Sequence, residues 1–222
     1  MRYCAWIFDF DYTLADSTDG IVECFWYAFE KLGLNRPDRA AVVRTIGSTL
    51  HDSFIMLTES DDIELNDAFK KLFISRADKI MTEKTKLFSD TIPTLQFLKQ
   101  SGCKTGIVTT KFRYRIEDAL RKYEITHLID GIVGIEDVER EKPDPEGLNG
   151  LIHTLAVSKE SVLYVGDTVI DAQTADNAGV DFGAVTSGVT GKDIFFDYPH
   201  QYICKNLSEL MQEVKKDDGI SL

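Results

Sequence analysis

The stretch YCAWIFDFDYT, residues 3–13, decides the fold expected for this chain. Residues 3–8 are aromatic and apolar without polar alternation, which is typical of a short strand buried on both faces. Two carboxylates, Asp9 and Asp11, follow where that strand should end. Because strands covered on both faces occur in parallel sheets flanked by helices, this stretch predicts an α/β core.

The next segment, residues 17–86, carries only helical patterns. Apolar residues such as Ile21, Phe25 and Phe29 recur at helical spacing, and Gly33 ends this first helix. The further helices predicted here span residues 38–45, 50–58 and 63–82. The segment is therefore expected to be an all-helical insert that interrupts the α/β core.

From residue 87 onward, short apolar strands alternate with helices. The strands predicted there span residues 104–108, 128–133, 162–165 and 182–185. The helices predicted there span residues 93–100, 114–123, 145–155 and 169–178. This alternation is typical of a parallel sheet with crossover helices on both faces. We predict a Rossmann-like α/β core formed by residues 1–16 and 87–222, with the helical insert at 17–86.

Charge and hydropathy restrict the class of partner. The formal net charge of −12 argues against a nucleic-acid backbone as partner. No apolar run approaches the roughly 20 residues of a membrane span, and no secretory signal pattern is present. The four cysteines form no CxxC pair, which favours reduced thiols in the cytoplasm. A small phosphorylated molecule remains compatible with the acidity, because a bound cation and a lysine can reverse the field inside a small pocket.

Polar residues follow four of the predicted strands. In a parallel α/β sheet, ligands bind beyond the carboxyl ends of the strands. The residues expected at that edge are Asp9, Asp11, Thr109, Lys142, Asp167 and Asp171. Carboxylates can hold Mg²⁺, and a carboxylate beside that ion can attack phosphorus to form an aspartyl-phosphate. A second carboxylate can move protons, while a lysine and a hydroxyl hold the phosphoryl oxygens.

Each of these residues also has a purely structural explanation when it is considered alone. Asp9 and Asp11 could cap a turn, and Thr109 could simply end a strand. Lys142 could be a solvated loop charge, and Asp167 could be the N-cap of a helix. Their joint occurrence in this order, each after a predicted strand, favours one shared site for phosphoryl transfer.

The motif DFDYTL at residues 9–14 resembles the DxDxT signature of the haloacid dehalogenase superfamily of phosphohydrolases. Thr109 is similar to the second motif of that family, Lys142 in KPDPE to the third, and GDTVID at residues 166–171 to the acidic fourth. The resemblance covers nearly the whole chain and is strongest to the phosphoglycolate phosphatase-like subgroup. It implies a Mg²⁺-dependent phosphatase for small phosphate monoesters, with residues 17–86 as a helical cap.

The resemblance implies specific roles for the first motif. Asp9 would be the nucleophile and a magnesium ligand. Asp11 would be the general acid and base, with its backbone carbonyl on the metal. The presence of an acid at Asp11 argues against dehalogenation, because the dehalogenases of the superfamily lack one there. Tyr12 departs from the pattern, since glycine is very common at this position in the family.

The other motifs receive roles in the same way. Thr109 and Lys142 would hold the phosphoryl group. Asp167 would be a magnesium ligand, and Asp171 would support the site without touching the metal. All of these assignments rest on the resemblance and on the position of each residue in its motif.

The insert offers candidate substrate contacts where two of its helices meet. These candidates are Arg44, Thr45, Gly47, Ser48 and His51, since caps of this family often face the active site with such a break. We expect Arg44, Thr45 and Gly47 in particular to bind substrate. The alternative is that Gly47 only stops a helix and that the charged side chains are solvated.

Several other functions are compatible with parts of the pattern. A sugar-phosphate phosphomutase similar to β-phosphoglucomutase would use the same Asp9 and Asp11, and an inorganic pyrophosphatase or a nucleotidase would share the fold. A signalling receiver domain is disfavoured, because its phosphorylated aspartate follows a later strand. A non-catalytic relative is disfavoured because Asp9 and Asp167 are both present. The natural substrate and the choice between monomer and dimer stay open.

Overall fold

The computed structural model describes residues 1–219, and the chain divides into two compact units. The core unit consists of Met1–Ala15 and the chain from Leu87 onward, and the helical unit is Asp16–Lys86. The strands are β1 (Ala5–Phe8), β2 (Ala15–Asp16), β3 (Lys86–Leu87), β4 (Lys104–Val108), β5 (Gly131–Val133), β6 (Val162–Gly166), β7 (Asp181–Val185) and β8 (Tyr202–Cys204). The helices are α1 (Thr18–Lys31), α2 (Arg39–Val43), α3 (Leu50–Thr58), α4 (Ile63–Lys84), α5 (Thr91–Gln100), α6 (Arg113–Lys122), α7 (Glu146–Leu155), α8 (Val169–Ala178) and α9 (Leu207–Asp217).

The core unit is built on a six-stranded sheet with the order β5-β4-β1-β6-β7-β8. All of its pairings are parallel, and β1 lies in the centre, with Phe8 opposite Ile107 on β4 and Val165 on β6. Successive strands extend the sheet first to one side of β1 and then to the other. The topological switch point therefore lies between β1 and β6, where ligands of such sheets bind. The predicted Rossmann-like α/β class is confirmed.

Helices cover both faces of this sheet, as the continuous apolar strands predict. Trp6 and Phe8 pack in one buried cluster with side chains of α5, α6 and α9. Ile7 and Tyr164 belong to a second cluster with side chains of α7 and α8. Neighbouring residues of one strand thus face opposite layers, because side chains alternate along a strand.

The helical unit packs around its own aromatic cluster. Its rings are close neighbours, with centroids 5.1–6.4 Å apart, and they belong to Phe25, Phe29, Phe54, Phe69 and Phe73. Gly20 allows α1 to approach α4 closely, since a Cβ at this position would lie 2.9 Å from the sulfur of Met81. The four predicted helices of this segment are all present, and α4 ends at Lys84, two residues later than predicted.

One predicted strand of the core was too long, and one short strand was missed. The strand predicted for residues 128–133 contains only Gly131–Val133, because Thr126–Leu128 forms a 3₁₀ turn. Asp130 fixes this change of direction, since its carboxylate accepts hydrogen bonds from the backbone N–H of Thr105 and from Lys99. The short edge strand β8 was not predicted.

The four cysteines form no disulfide with one another, in agreement with the absence of a CxxC pair. All four are free, and Cys24, Cys103 and Cys204 are buried, whereas Cys4 is exposed. Burial of Cys204 follows from its place in β8, where it packs on the cluster that contains α9. Within residues 1–219, no helix combines the length and the apolar character that crossing a bilayer requires.

Candidate active site

The centre of the site is a buried lysine held between two carboxylates. Nζ of Lys142 lies 2.8 Å from Oδ1 of Asp9 and 2.7 Å from Oδ1 of Asp171. It also lies 3.2 Å from the hydroxyl of Tyr164, so three acceptors surround the three N–H bonds of the ammonium. Asp9 follows β1 and Asp171 lies in the first turn of α8, which places this cluster at the switch point of the sheet.

The loop that carries Lys142 is fixed by its own ion pairs. Arg140 pairs with Asp144 and Glu146, and the Glu146 carboxylate also accepts the backbone N–H groups of Glu139 and Arg140. The carbonyl of Pro143 accepts a hydrogen bond from Asn177 on α8 at 2.9 Å. These contacts fix the backbone on both sides of Lys142 and so limit the positions that its long side chain can reach.

The carboxylate of Asp171 is held by hydrogen bonds on both of its oxygens. Its Oδ1 accepts hydrogen bonds from Lys142 and from Tyr164, the latter at 3.0 Å. Its Oδ2 accepts from the backbone N–H of Thr168 at 3.1 Å and from the Thr168 hydroxyl at 2.6 Å. These last two bonds form the capping box of α8. Both oxygens of Asp171 are therefore engaged by the protein.

Asp167 differs from Asp171 in the environment of its carboxylate. Its Oδ1 lies 3.4 Å from the hydroxyl of Thr13, whereas its buried Oδ2 has no hydrogen-bond partner among the described residues. Ligand atoms of Asp9, Asp167 and Asp171 all lie within 4.8 Å of one another. A buried carboxylate oxygen without a partner is costly, and a hard divalent cation offsets that cost. The residues therefore fit Mg²⁺, with Asp9 and Asp167 as the side chains able to hold it.

Glycine at position 188 is required beside this carboxylate. A Cβ on Gly188 would lie 1.9 Å from Oδ2 of Asp167 and 3.2 Å from the Cβ of Tyr12. The backbone of this loop therefore lies directly against the candidate metal position. Nothing in the local sequence indicated this contact, because it depends on how the loop after β7 folds back onto the strand ends.

The charges of the cluster shift its proton affinities strongly. Burial raises the pKa of Asp9 to about 6, although the nearby Lys142 acts against this rise. Burial and the neighbouring Asp171 and Asp9 raise the pKa of Asp167 well above its usual range. Burial alone would lower the pKa of Lys142, but Asp171 and Asp9 together hold it well above its usual value. One ammonium does not balance three buried carboxylates, which favours an added cation.

Asp11 lies at the same edge and is paired with a lysine that sequence reasoning gave no role. Nζ of Lys111 lies 2.7 Å from both carboxylate oxygens of Asp11. Their side chains are only 9% and 13% exposed. The backbone carbonyl of Asp11 stays a predicted metal ligand, as the resemblance implies. The signal for Lys111 was its place two residues after Thr109, at the end of a buried strand.

Thr109 and Lys142 line one pocket. The pocket lies between the carboxyl ends of β4 and β5 and the loop before α7, with Gly134 and Glu141 in its wall. Thr109 is buried, and its backbone N–H continues the sheet by donating to the carbonyl of Val133. Its hydroxyl accepts from the backbone N–H of Lys111 at 3.3 Å. The structure thus brings the predicted residues of all four motifs to one edge of the core.

Tyr12 has a positive φ of 57°, in the left-handed region that glycine adopts easily. This explains why glycine is common at the position in the family that the sequence resembles. Here the conformation is held by a 2.7 Å hydrogen bond from Tyr12 N–H to the carbonyl of Ala15, and the hydroxyl of Ser187 donates to the Tyr12 carbonyl.

The candidate residues of the insert all lie in the helical unit. Arg44 is exposed, and Gly47 has a φ of 102°. The buried hydroxyl of Thr45 donates to the carbonyl of Val42 at 2.8 Å, so it ends α2. His51 lies at the start of α3, with its Nδ1 3.0 Å from the side-chain amide of Asn66. Contact of these residues with substrate stays a prediction.

Comparisons with known proteins agree on the family. The model of the haloacid dehalogenase-like hydrolase family matches residues 6–185. The pyrophosphatase PpaX from Bacillus cereus is 31% identical over 205 residues, which cover 92% of this chain and 93% of that protein. The crystal structure of a haloacid dehalogenase-like hydrolase from Bacteroides fragilis is 45% identical with a TM-score of 0.91, and the match covers 94% of this chain and 99% of that one.

A more distant structure shares the fold alone. It is that of a predicted phosphoglycolate phosphatase from Haemophilus somnus, with a TM-score of 0.85, 20% identity and coverage of 96% of this chain and 99% of that one. The family match, by contrast, spans β1 to β7 and includes all the motif residues described above. The chain therefore belongs to the haloacid dehalogenase-like hydrolases, and it is an enzyme of the phosphatase class.

Proposed function

We propose that this enzyme is a Mg²⁺-dependent phosphatase that hydrolyses small phosphate monoesters through an aspartyl-phosphate on Asp9. The observation that carries the proposal is the buried Lys142, which touches Asp9 at 2.8 Å beside the unpartnered Oδ2 of Asp167. This arrangement combines a nucleophile, a cation and a vacant ligand atom at one point. Mg²⁺ would be held by Asp9, the Asp11 carbonyl and Asp167, and when bound it supplies positive charge to the phosphoryl oxygens.

The reaction needs two displacements at phosphorus. In the first, an oxygen of Asp9 forms a bond to phosphorus while the bond to the leaving oxygen breaks, and Asp11 gives that oxygen a proton. Lys142 and the hydroxyl of Thr109 hold the phosphoryl oxygens as charge moves onto them. In the second, Asp11 takes a proton from water, the water oxygen bonds to phosphorus, and Asp9 is released with orthophosphate.

Residues 17–86 would act as the cap of this site, excluding water and selecting the substrate. Arg44, Thr45 and Gly47 are the proposed substrate contacts. Arg44→Ala is the cleaner test, because any side chain at Gly47 would strain a backbone with φ of 102°. Arg44→Ala should lower kcat/KM for the natural substrate more than for p-nitrophenyl phosphate, whereas Lys71→Ala, also exposed in the helical unit, should change neither.

The central test uses p-nitrophenyl phosphate and acetyl phosphate, with Mg²⁺ or with EDTA, and the variant Asp9→Asn. Phosphate release should require Mg²⁺ and fall by at least about 1000-fold in Asp9→Asn, as when a nucleophile is removed. Asp193→Asn, which makes the same Asp-to-Asn change at an exposed position, is the control and should keep the activity of the wild type. Rapid quenching should show one added phosphoryl group on wild-type protein. Undiminished activity in Asp9→Asn would refute the proposal.

Inorganic pyrophosphatase is a second candidate activity within the same mechanism. It is favoured by the relatives named pyrophosphatase PpaX, which match 92% of this chain at 31% identity. Pyrophosphate would be attacked by Asp9 in the same way, with orthophosphate as the leaving group. A phosphomutase would instead convert a hexose 1-phosphate into the 6-phosphate, so incubation with that ester separates the two reaction types.

We also propose that the enzyme works in the cytoplasm on a small phosphorylated metabolite. Support for the compartment comes from its four free thiols, three of them buried. The net charge of −12 supports the absence of a nucleic-acid partner. Monomer and dimer are both compatible with the proposed site, and light scattering of the purified protein distinguishes them.

A further inference from the structure

The loop after β7 touches both segments that carry the candidate metal ligands. The hydroxyl of Ser187 donates a hydrogen bond to the backbone carbonyl of Tyr12, the residue directly after Asp11. A Cβ on Gly188, the next residue of the loop, would lie 1.9 Å from Oδ2 of Asp167. One dipeptide therefore lies against the loop after β1 and against the carboxylate that follows β6.

The position of Ser187 is set by the sheet on one side and by a buried ring on the other. The backbone N–H of Thr186 donates to the carbonyl of Cys204 at 2.9 Å, so the pairing of β7 with β8 continues to the residue before Ser187. Further along the loop, Phe195 is fully buried, with its ring centre 6.1 Å from that of Phe182 on β7. The hydroxyl of Ser187 is thus carried by a segment that is fixed at both ends.

The hydrogen bond from Ser187 fixes one of the two peptide planes that meet at Tyr12. The N–H of Tyr12 donates to the carbonyl of Ala15 at 2.7 Å, which fixes the plane that contains the Asp11 carbonyl. Ser187 fixes the following plane through the Tyr12 carbonyl. Because two dihedral angles of one residue set the angle between its peptide planes, loss of this hydroxyl would release one of the restraints on the Asp11 carbonyl.

The same loop after β1 reaches the second ligand group through Thr13. The hydroxyl of Thr13 lies 3.4 Å from Oδ1 of Asp167, and its N–H donates to the carbonyl of Phe10 at 3.3 Å. The Asp11 carbonyl and the Asp167 carboxylate therefore belong to segments that are joined by Thr13 and that both contact the loop after β7. Their separation depends on these contacts.

We propose that Ser187 is a positioning residue for the metal site and that it sets the preference of this site for Mg²⁺ over the larger Ca²⁺. The inference rests on the proposed function, in which Asp9, the Asp11 carbonyl and Asp167 hold Mg²⁺. Mg²⁺ requires nearly ideal octahedral geometry with oxygens at about 2.0–2.1 Å, whereas Ca²⁺ accepts flexible geometry at about 2.3–2.6 Å. Loosening the oxygens of the site therefore costs the smaller ion more binding free energy than the larger one.

Separate calorimetric titrations with Mg²⁺ and with Ca²⁺ test this role without any turnover. In Ser187→Ala the affinity for Mg²⁺ should fall by about tenfold, within the range known for outer partners of metal ligands. The affinity for Ca²⁺ should fall by no more than about threefold, because this ion tolerates the looser geometry. The ratio of the two affinities should therefore drop. Ser187→Thr keeps a hydroxyl group and should retain more of the ratio than Ser187→Ala.

Ser161→Ala is the matched control, because the hydroxyl of Ser161 also donates to a backbone carbonyl, that of Ser158 at 2.8 Å, directly before β6. It should leave both affinities as in wild type. If Ser187→Ala lowers the midpoint of urea unfolding but leaves the ratio of affinities unchanged, Ser187 only stabilises the fold and the inference is overturned. If the ratio drops but Asp9→Asn retains turnover, the inference survives and the proposed reaction fails. Wild-type protein that binds no Mg²⁺ would overturn both.

Discussion

The hydroxyl oxygen of Tyr164 lies 3.2 Å from Nζ of Lys142. Tyr164 is fully buried on β6, and its hydroxyl is also 3.0 Å from Asp171 and 3.2 Å from the carbonyl of Val108. The hydroxyl accepts a hydrogen bond from the ammonium of Lys142. It donates one either to the carboxylate of Asp171 or to the carbonyl of Val108. Tyr164 therefore joins the cation to the sheet on which the site is built.

Tyr164→Phe should weaken catalysis through Lys142 without removing any group that touches the substrate. The ring is kept, but the ammonium loses an acceptor, at a cost of about 1–2 kcal/mol of unfolding free energy. We expect kcat/KM to fall about tenfold, measured with p-nitrophenyl phosphate. Tyr3→Phe removes the hydroxyl of another buried tyrosine, which bonds Asp181. That control should lose stability but not kcat/KM, and equal losses of kcat/KM in both variants would contradict the assignment.

Gly188→Ala should weaken Mg²⁺ binding while the fold is kept. The new Cβ would meet Oδ2 of Asp167 at 1.9 Å, so the loop or the carboxylate must move. We expect the affinity for Mg²⁺ to fall by about 10- to 100-fold, as for other changes that disturb metal ligands. Calorimetric titration of metal-free protein with Mg²⁺ measures this directly.

Gly191→Ala provides the comparison for that experiment. Among the described residues, nothing lies within 4 Å of a Cβ at Gly191, three positions further along the same loop. The variant should bind Mg²⁺ like wild type. Equal affinity in Gly188→Ala and wild type would mean that the metal lies elsewhere.

The metal-free protein should become less stable, relative to Asp9→Asn, as pH rises from about 4 to about 6. Burial raises the pKa of Asp9 from 3.8 to about 6, so the native state binds this proton more tightly than the unfolded chain does. The stability that this carboxyl group contributes is therefore fully present below its pKa in the unfolded chain. It is lost as pH rises through its pKa in the folded protein. The difference in unfolding free energy should move by up to about 3 kcal/mol in favour of the variant.

Urea unfolding in EDTA at several pH values measures this difference. Asp9→Asn also removes a partner of Lys142, which stays charged throughout this range, and one cause of the raised pKa of Asp167. The second effect has the same sign, because a carboxyl group whose pKa is raised on folding loses stability as pH rises. A difference that does not change with pH would show that Asp9 is not buried in a charged cluster.

Tyr12→Gly should be more stable than Tyr12→Ala. Both variants lose the buried ring, but only alanine keeps a Cβ in a backbone with φ of 57°. The left-handed region costs a residue with a Cβ about 1–2 kcal/mol, and the greater entropy of glycine in the unfolded chain offsets part of this. We expect a net advantage for glycine of about 0.5–1 kcal/mol in thermal or urea unfolding. An alanine variant as stable as the glycine variant would be inconsistent with strain at this position.

The fold was predictable from the sequence because its central strands are short, continuous apolar runs between clear helical patterns. β4 and α8 have the predicted bounds, and β6 extends one residue further. The strand β8 was not predicted because it has only three residues, too few to show a periodic pattern of apolar side chains, and lies at the edge of the sheet. β5 is shorter than predicted because the side chain of Asp130 bonds backbone that a longer strand would use.

The site was predictable only where its residues follow strands. Asp9, Thr109 and Asp167 are placed by the topology of the sheet, so their meeting at one edge follows from strand order. Tyr164 is placed by the direction of its side chain on β6, and Gly188 by a loop that folds back onto the strand ends. Both depend on strand register and packing rather than on local sequence. The ion pair between Lys111 and Asp11 likewise depends on how two loops meet in the folded chain.

Asp171 accepts the first-turn hydrogen bonds of α8 with one carboxylate oxygen and the ammonium of Lys142 with the other. The beginning of this helix and the charge balance of the site are therefore one cooperative unit. Amide hydrogen exchange at Thr168 would report directly on whether Lys142 is in place. The same coupling constrains which substitutions the protein tolerates in evolution. A substitution at Asp171 that removes the contact with Lys142 also weakens the first turn of α8, so the two properties cannot change independently.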